Sequence, residues 1–116
     1  MSLNKVQLIG NVGIEPEVQT IGLGIKKARF SLATNELVRR DDREAETKPV
    51  WHNIECWESL AKYVERNVKK GDQIYLEGKI CYRTYTSNNI ERTYTHINAS
   101  QIIMLKKKVE TTEEAQ

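Results

Sequence analysis

Cysteine and histidine are scarce in this 116-residue chain: Cys56, Cys81, His52 and His96 are the whole supply. None of the four stands in a C-x-x-C or H-x-x-x-H spacing, which argues against a structural zinc site. A cytosolic protein with reduced thiols is the expectation. Long apolar runs are also missing. The longest, Ile102 to Leu105, has four residues, too few for a membrane-spanning helix. Strand-like residues begin almost directly after Met1, so no signal or transit peptide is expected. A nucleophile with a base and an orienting group is nowhere in evidence, nor is a carboxylate cluster suited to a metal. Asp41 and Asp42 lie among Arg39, Arg40 and Arg43, where mutual neutralisation is the simplest reading. Gly22 and Gly24 lack the Gly-Lys-Ser/Thr continuation of a phosphate loop. No enzymatic activity, cofactor, metal or membrane partner is expected.

What the chain does have is an ordinary soluble composition, 39% apolar and 29% charged, in a length that suits one domain. Its formal charge is +2, but the last seven residues carry Glu110, Glu113 and Glu114 and no base. Without them eighteen bases face thirteen acids, a net +5 compatible with a polyanionic partner. The expected organisation is a folded body over residues 1–108 and a short disordered polar tail over 109–116.

Apolar spacing is strand-like nearly throughout. Val6 and Leu8 mark a first strand ending at Gly10-Asn11, and Val18 to Ile25 reads as a second, interrupted by Gly22 and Gly24. Phe30 and Leu32 alternate with Arg29, Ser31 and Ala33 in a third. Arg39 to Pro49, with four bases and four acids, reads as a long loop. Trp51 to Trp57 is a strand, and Leu60, Val64 and Val68 then repeat at helical spacing, with Ser59 as N-cap and Gly71 as C′ glycine. Ile74 to Thr84 and Thr93 to Leu105 form a hairpin turning at Ser87-Asn88-Asn89. One helix amid such strands suggests an all-β, five-stranded Greek-key OB-fold barrel with a long β-hairpin.

Alternation places Ile54, Cys56 and His52 toward the core and Trp51 and Trp57 on the polar side with Asn53 and Glu55. Two tryptophans on a wet face need cover. They are either interface residues of an oligomer, residues covered by the long loop, or platforms on which nucleobases stack. On the hairpin, Lys79, Arg83 and Tyr85 share one face, interleaving cations with a ring as a groove for single strands does. Arg29 and Lys5 could extend that strip.

These residues resemble the bacterial single-stranded-DNA-binding protein family. The likeness is carried by Asn4-Lys5-Val6-x-Leu8-Ile9-Gly10-Asn11-Val12-Gly13 with Pro16-Glu17-Val18, by Phe30-Ser31-Leu32-Ala33-Thr34, by Trp51-His52-Asn53-Ile54 with Leu60-Ala61, and by Lys69 through Lys79. It runs in order from Asn4 to about Leu105. The resemblance implies an OB-fold, a homotetramer, and sequence-independent coating of single-stranded DNA in replication, recombination and repair, in the cytoplasm with the nucleoid. It implies stacking at Trp51, Trp57 and Tyr85, backbone contacts at Lys5, Arg29, Lys70, Lys79 and Arg83, and subunit contacts at His52 and Tyr75. Val38 stands where the family often has another stacking aromatic, and Asn53 and Cys81 where a base is frequent, which predicts a shallow salt dependence. Partner proteins of replication and repair are compatible with the likeness, but the acidic, phenylalanine-ended tip is not in this sequence, so recruitment through it is not carried over. Two rivals are a tail-less primosome-type accessory protein and an oligomeric barrel that binds no nucleic acid.

Overall fold

Wherever apolar residues alternate, the chain extends, and the strands so formed bend into a ring. The computed structural model describes residues 1–39, 41 and 44–109; the expected polar tail from Glu110, and Arg40, Asp42 and Arg43 of the expected loop, lie outside the described residues. The elements are β1 (Val6–Val12), β2 (Glu17–Ile21), β3 (Ile25–Val38), β4 (Glu46–Trp57), α1 (Ser59–Asn67), β5 (Gln73–Ser87) and β6 (Ile90–Lys106). Hydrogen bonding orders the strands β1-β5-β6-β4-β3-β2, and a further β1–β3 pairing at Asn11↔Ala33 and Val12↔Leu32 closes β1, β5, β6, β4 and β3 on themselves. β2 hangs outside this five-stranded ring. All pairings are antiparallel except β4–β6, where Ile54 faces Ile97. With one helix between its third and fourth members, the ring is the OB-fold arrangement read from the sequence.

Inward residues fill it. Phe30 and Leu32 of β3, Ile54 and Cys56 of β4, Ile74 and Leu76 of β5, and Ile97 and Ile102 of β6 are buried together with Ala61, Val64 and Val68 from the helical segment. Strand and helix periodicity single out these positions except Ile97 and Ile102, which have opposite parity and both face inward because the β5–β6 register shifts between Glu77 and Gly78. Cys56 is fully enclosed, and burial pushes its thiol up to about 12.

Four local expectations need correction. The span from Val18 to Ile25 is not one strand: Gly22 and Gly24 take φ of 58° and 91°, so the chain reverses there and splits it between β2 and β3. The Arg39–Pro49 segment is not loop throughout, because β4 begins at Glu46 and pairs residue for residue with the end of β3, Val38↔Glu46 to Asn35↔Pro49. This arm is exposed on both sides apart from half-buried Val38, so it shows no buried-face alternation to read. Ser59 is the first helical residue rather than the N-cap. Glu58 holds that place with no side-chain cap, its backbone N–H donating to the Lys26 carbonyl at 2.8 Å. Gly71 is not the C′ residue of α1, which ends at Asn67; its N–H donates to Val12, tying the turn to β1.

That turn is fixed by Asp72, which is almost wholly buried. Its carboxylate accepts the Lys69 and Lys108 amides, each at 2.9 Å, and the Lys107 ammonium at 2.8 Å. Burial pushes its pKa up, but Lys107 and the two amides outweigh that and hold the carboxyl below its ordinary value. At the far end of the β5–β6 arm, Asn88 and Asn89 have φ of 53° and 62°, the two-residue turn that matches strand twist.

Candidate nucleic-acid interface

Strand β4 presents Trp51, Asn53, Glu55 and Trp57 on the face opposite Ile54 and Cys56. Trp51 is 57% exposed and Trp57 36%, so both expected platforms have open ring surface in this chain. Each is supported from one side. A Cβ on Gly13 would collide with the Trp51 ring and the Ser31 hydroxyl, so the missing side chain at residue 13 makes the bed on which that indole lies. Trp57 stands across from Lys27 in the β3–β4 register, and the Lys27 ammonium sits 5.2 Å from its ring centroid.

Between the tryptophans the sequence reading fails at one residue. Glu55 is not solvated; its side chain is wholly buried. Arg83 of β5 grips it bidentately, with Nη2 3.0 Å from Oε1 and Nη1 3.3 Å from Oε2. Lys27 lies 3.5 Å from Oε2, and His96 of β6 places Nε2 3.4 Å from Oε1. Burial pushes the Glu55 carboxyl up, but Arg83, His96 and Lys27 more than compensate and leave it below the ordinary range. Burial lowers His96 despite the nearby carboxylate. The Tyr94 ring stacks on His96 at 5.2 Å, and the Arg83 guanidinium lies 5.6 Å from its centroid. Lys27 and His96 carry no sequence signal of their own, because they reach Glu55 only through cross-strand register, and Tyr94 joins them only through His96 and Arg83.

The remaining expected residues fall into groups. Arg83 and Tyr85 do share a face of β5 with Lys79, and Tyr85 is 47% exposed. Arg29 is opposite Glu55 across β3–β4 but its Nη2 is 3.0 Å from Glu17, both side chains half exposed. Lys5 lies 3.7 Å from Glu77, and a groove of about 470 Å³ joins it to Lys79 past Gly78 and Asn98. Lys79 and Lys70 have no ion-pair partner among the described residues. Lys70 stands apart, in the turn after α1, its backbone N–H donating to Glu15 at 2.8 Å. Tyr82, 68% exposed on the other face of the arm, is an aromatic to which the sequence reading gave no role.

The two expected subunit-contact residues lie elsewhere. His52 is half buried, its Nε2 3.0 Å from the Thr34 hydroxyl. Tyr75 donates its hydroxyl hydrogen to Glu77 and accepts from Gln7 at 3.0 Å. Register puts Tyr75 between Ile9 of β1 and Ile103 of β6, an outer row in which the two isoleucines are 56% and 44% exposed.

Comparison with known proteins gives consistent results. The model of the single-strand binding protein family matches residues 3–105. A single-stranded DNA-binding protein of Neisseria meningitidis is 41% identical over 106 residues, 90% of this chain and 61% of the relative. A mitochondrial single-stranded DNA-binding protein of Bos taurus is 40% identical, over 90% of this chain and 76% of its own. The chain thus spans about three-fifths of the length of the first curated bacterial relatives it matches. Among solved structures, a Plasmodium falciparum SSB in complex with ssDNA superposes with a TM-score of 0.84 at 34% identity, covering 91% of this chain and 97% of that one.

Proposed function

The chain belongs to the single-strand binding protein family, and from that footing we propose that it binds single-stranded DNA without regard to sequence and protects it during replication, recombination and repair. Bases stack on Trp51, Trp57 and Tyr85, while Lys70 and Lys79 neutralise phosphates directly. Arg29 does so by exchanging its exposed partner Glu17, which costs little, and Lys5 by leaving the half-buried Glu77 to Tyr75 and Gln7. Arg83 belongs to the same face. No covalent chemistry is involved.

The observation that carries this reading is the pair of indoles on one outward face of β4, each backed on one side and open on the other. Every base has a π-face, so such platforms are indifferent to sequence, and a duplex hides those faces, so they favour single strands. Titration with a long oligo-dT should quench tryptophan fluorescence, with a duplex of equal length binding far more weakly. Absence of quenching, or equal affinity for the duplex, would refute the proposal.

Self-association into a homotetramer is part of the same proposal. The exposed row Ile9–Tyr75–Ile103, continued by Leu105, supports it, since apolar rows on outer sheet faces mark interaction surfaces. His52 is assigned to a subunit contact as well. Light scattering should return four chains per particle; a monomer or dimer would overturn this part alone. Action at the nucleoid in the cytoplasm, alongside replication and repair proteins, follows from the same reading.

A further inference from the structure

A wholly buried carboxylate that touches two cations, each lying on an aromatic ring, is more than a surface ion pair. We propose that Glu55 is the positioning residue of the DNA face: it holds Lys27 beneath Trp57 and Arg83 against Tyr94, and in doing so keeps both cations out of the set that pairs with phosphate. The inference rests on the reading of this face as a DNA face and deepens it.

The carboxylates on this face are unequal partners. Arg29–Glu17 has side chains 50% and 62% exposed, so a phosphate can replace the carboxylate while water takes up Glu17. Glu55 has no such refuge, because its side chain has no exposed surface. A phosphate that took the Arg83 guanidinium would leave a buried charge short of its bidentate partner, which is far costlier than opening an exposed pair. Lys27 is held further in, its side chain 13% exposed between Glu55 and the Trp57 ring. His96 completes the carboxylate's contacts and backs the Tyr94 ring from the same strand. The result is a chain of supports, Trp57 on Lys27, Lys27 and Arg83 on Glu55, Tyr94 against both Arg83 and His96. It fixes ring positions before any base arrives, and it shifts binding toward stacking and away from counterion release.

The salt dependence of oligo-dT binding reads this directly, because each single-strand phosphate contact contributes about 0.7 to the slope of log K against log salt. Glu55→Gln removes the charge at constant size and should steepen the slope by about 0.7 for each cation released, about 1.4 for both. Glu55→Asp, which restores the charge one methylene shorter, should bring the slope back toward that of the native chain. Arg83→Gln should flatten the slope by about 0.7 in the Glu55→Gln background and by much less in the native one. If Glu55→Gln does not fold, Arg83→Gln in the native chain still decides. A full loss of about 0.7 there refutes the proposal. An unchanged slope in folded Glu55→Gln refutes it too. Failure of the native chain to bind oligo-dT at all overturns the DNA reading and this inference together, a result distinct from binding with an unaltered slope.

Discussion

Trp51→Ala and Trp57→Ala remove the same side chain from two sites on one strand, and they should not behave alike. Exposures of 57% and 36%, on about 250 Å² per tryptophan, mean that Trp57 keeps about 50 Å² more surface from water than Trp51. At about 25 cal/mol per Å², that is ~1.3 kcal/mol, so Trp57→Ala should destabilise the fold by roughly that much more. Loss of a stacking platform should weaken oligo-dT binding by about 1–3 kcal/mol in both cases, about 5- to 150-fold. Neither change removes a charge on the ring itself, so Trp51→Ala should leave the salt slope of binding where it was. Urea denaturation gives the first quantity, and anisotropy of a labelled oligo-dT at several salt concentrations gives the other two. Binding by Trp51→Ala within twofold of the native chain, or a loss of affinity accompanied by a flatter slope, would refute stacking at this site.

Two further outcomes follow from buried chemistry. A thiol reagent applied to the native protein should modify one cysteine, half-buried Cys81, with Cys56 reacting only on unfolding, because its thiol is enclosed and pushed up to about 12; rapid titration of two thiols would contradict this. Asp72→Asn should cost about 1–3 kcal/mol in urea denaturation, by weakening acceptance of two amides and an ammonium in a buried site. Folded Asp72 and Glu55 both lie below their ordinary values of 3.8 and 4.5, so the stability they confer is present above those values and lost as pH falls below them toward the folded ones. His96, lowered from 6.5, adds an earlier loss as pH falls below that value, since only the unfolded ring then takes up its proton freely. A flat profile of unfolding free energy from pH 7 to 3 would refute these assignments.

Much of this was legible in the residues, for reasons that can be named. Phe30 with Leu32, Ile54 with Cys56 and Ile74 with Leu76 alternate because each strand of the ring has one dry face, and Leu60, Ala61 and Val64 keep helical spacing because α1 is covered on one side. The outward tryptophans followed from the same parity. Where both sides of a strand are wet, as from Glu46 to Pro49, parity carries no information and the strand reads as loop. Glu55 marks the other limit. Its neighbours in sequence are those of a solvated charge, and its burial is created by Lys27, Arg83 and His96, which arrive from three other strands.

Closure of the ring also orders the events of synthesis. The Asn4 side chain donates to the Ile80 carbonyl and accepts the Ile80 amide, each at 3.0 Å across 76 positions of chain, and β1 has only β3 for a mate until β5 has been made. A nascent chain that ends before β5 can form the β2–β3–β4 meander with α1, but Leu32 and Ile54 then lack the part of their cover that β5 and β6 supply. Such distant pairing slows folding, and here it leaves the ribosome-bound part in need of shelter until β5 and β6 emerge.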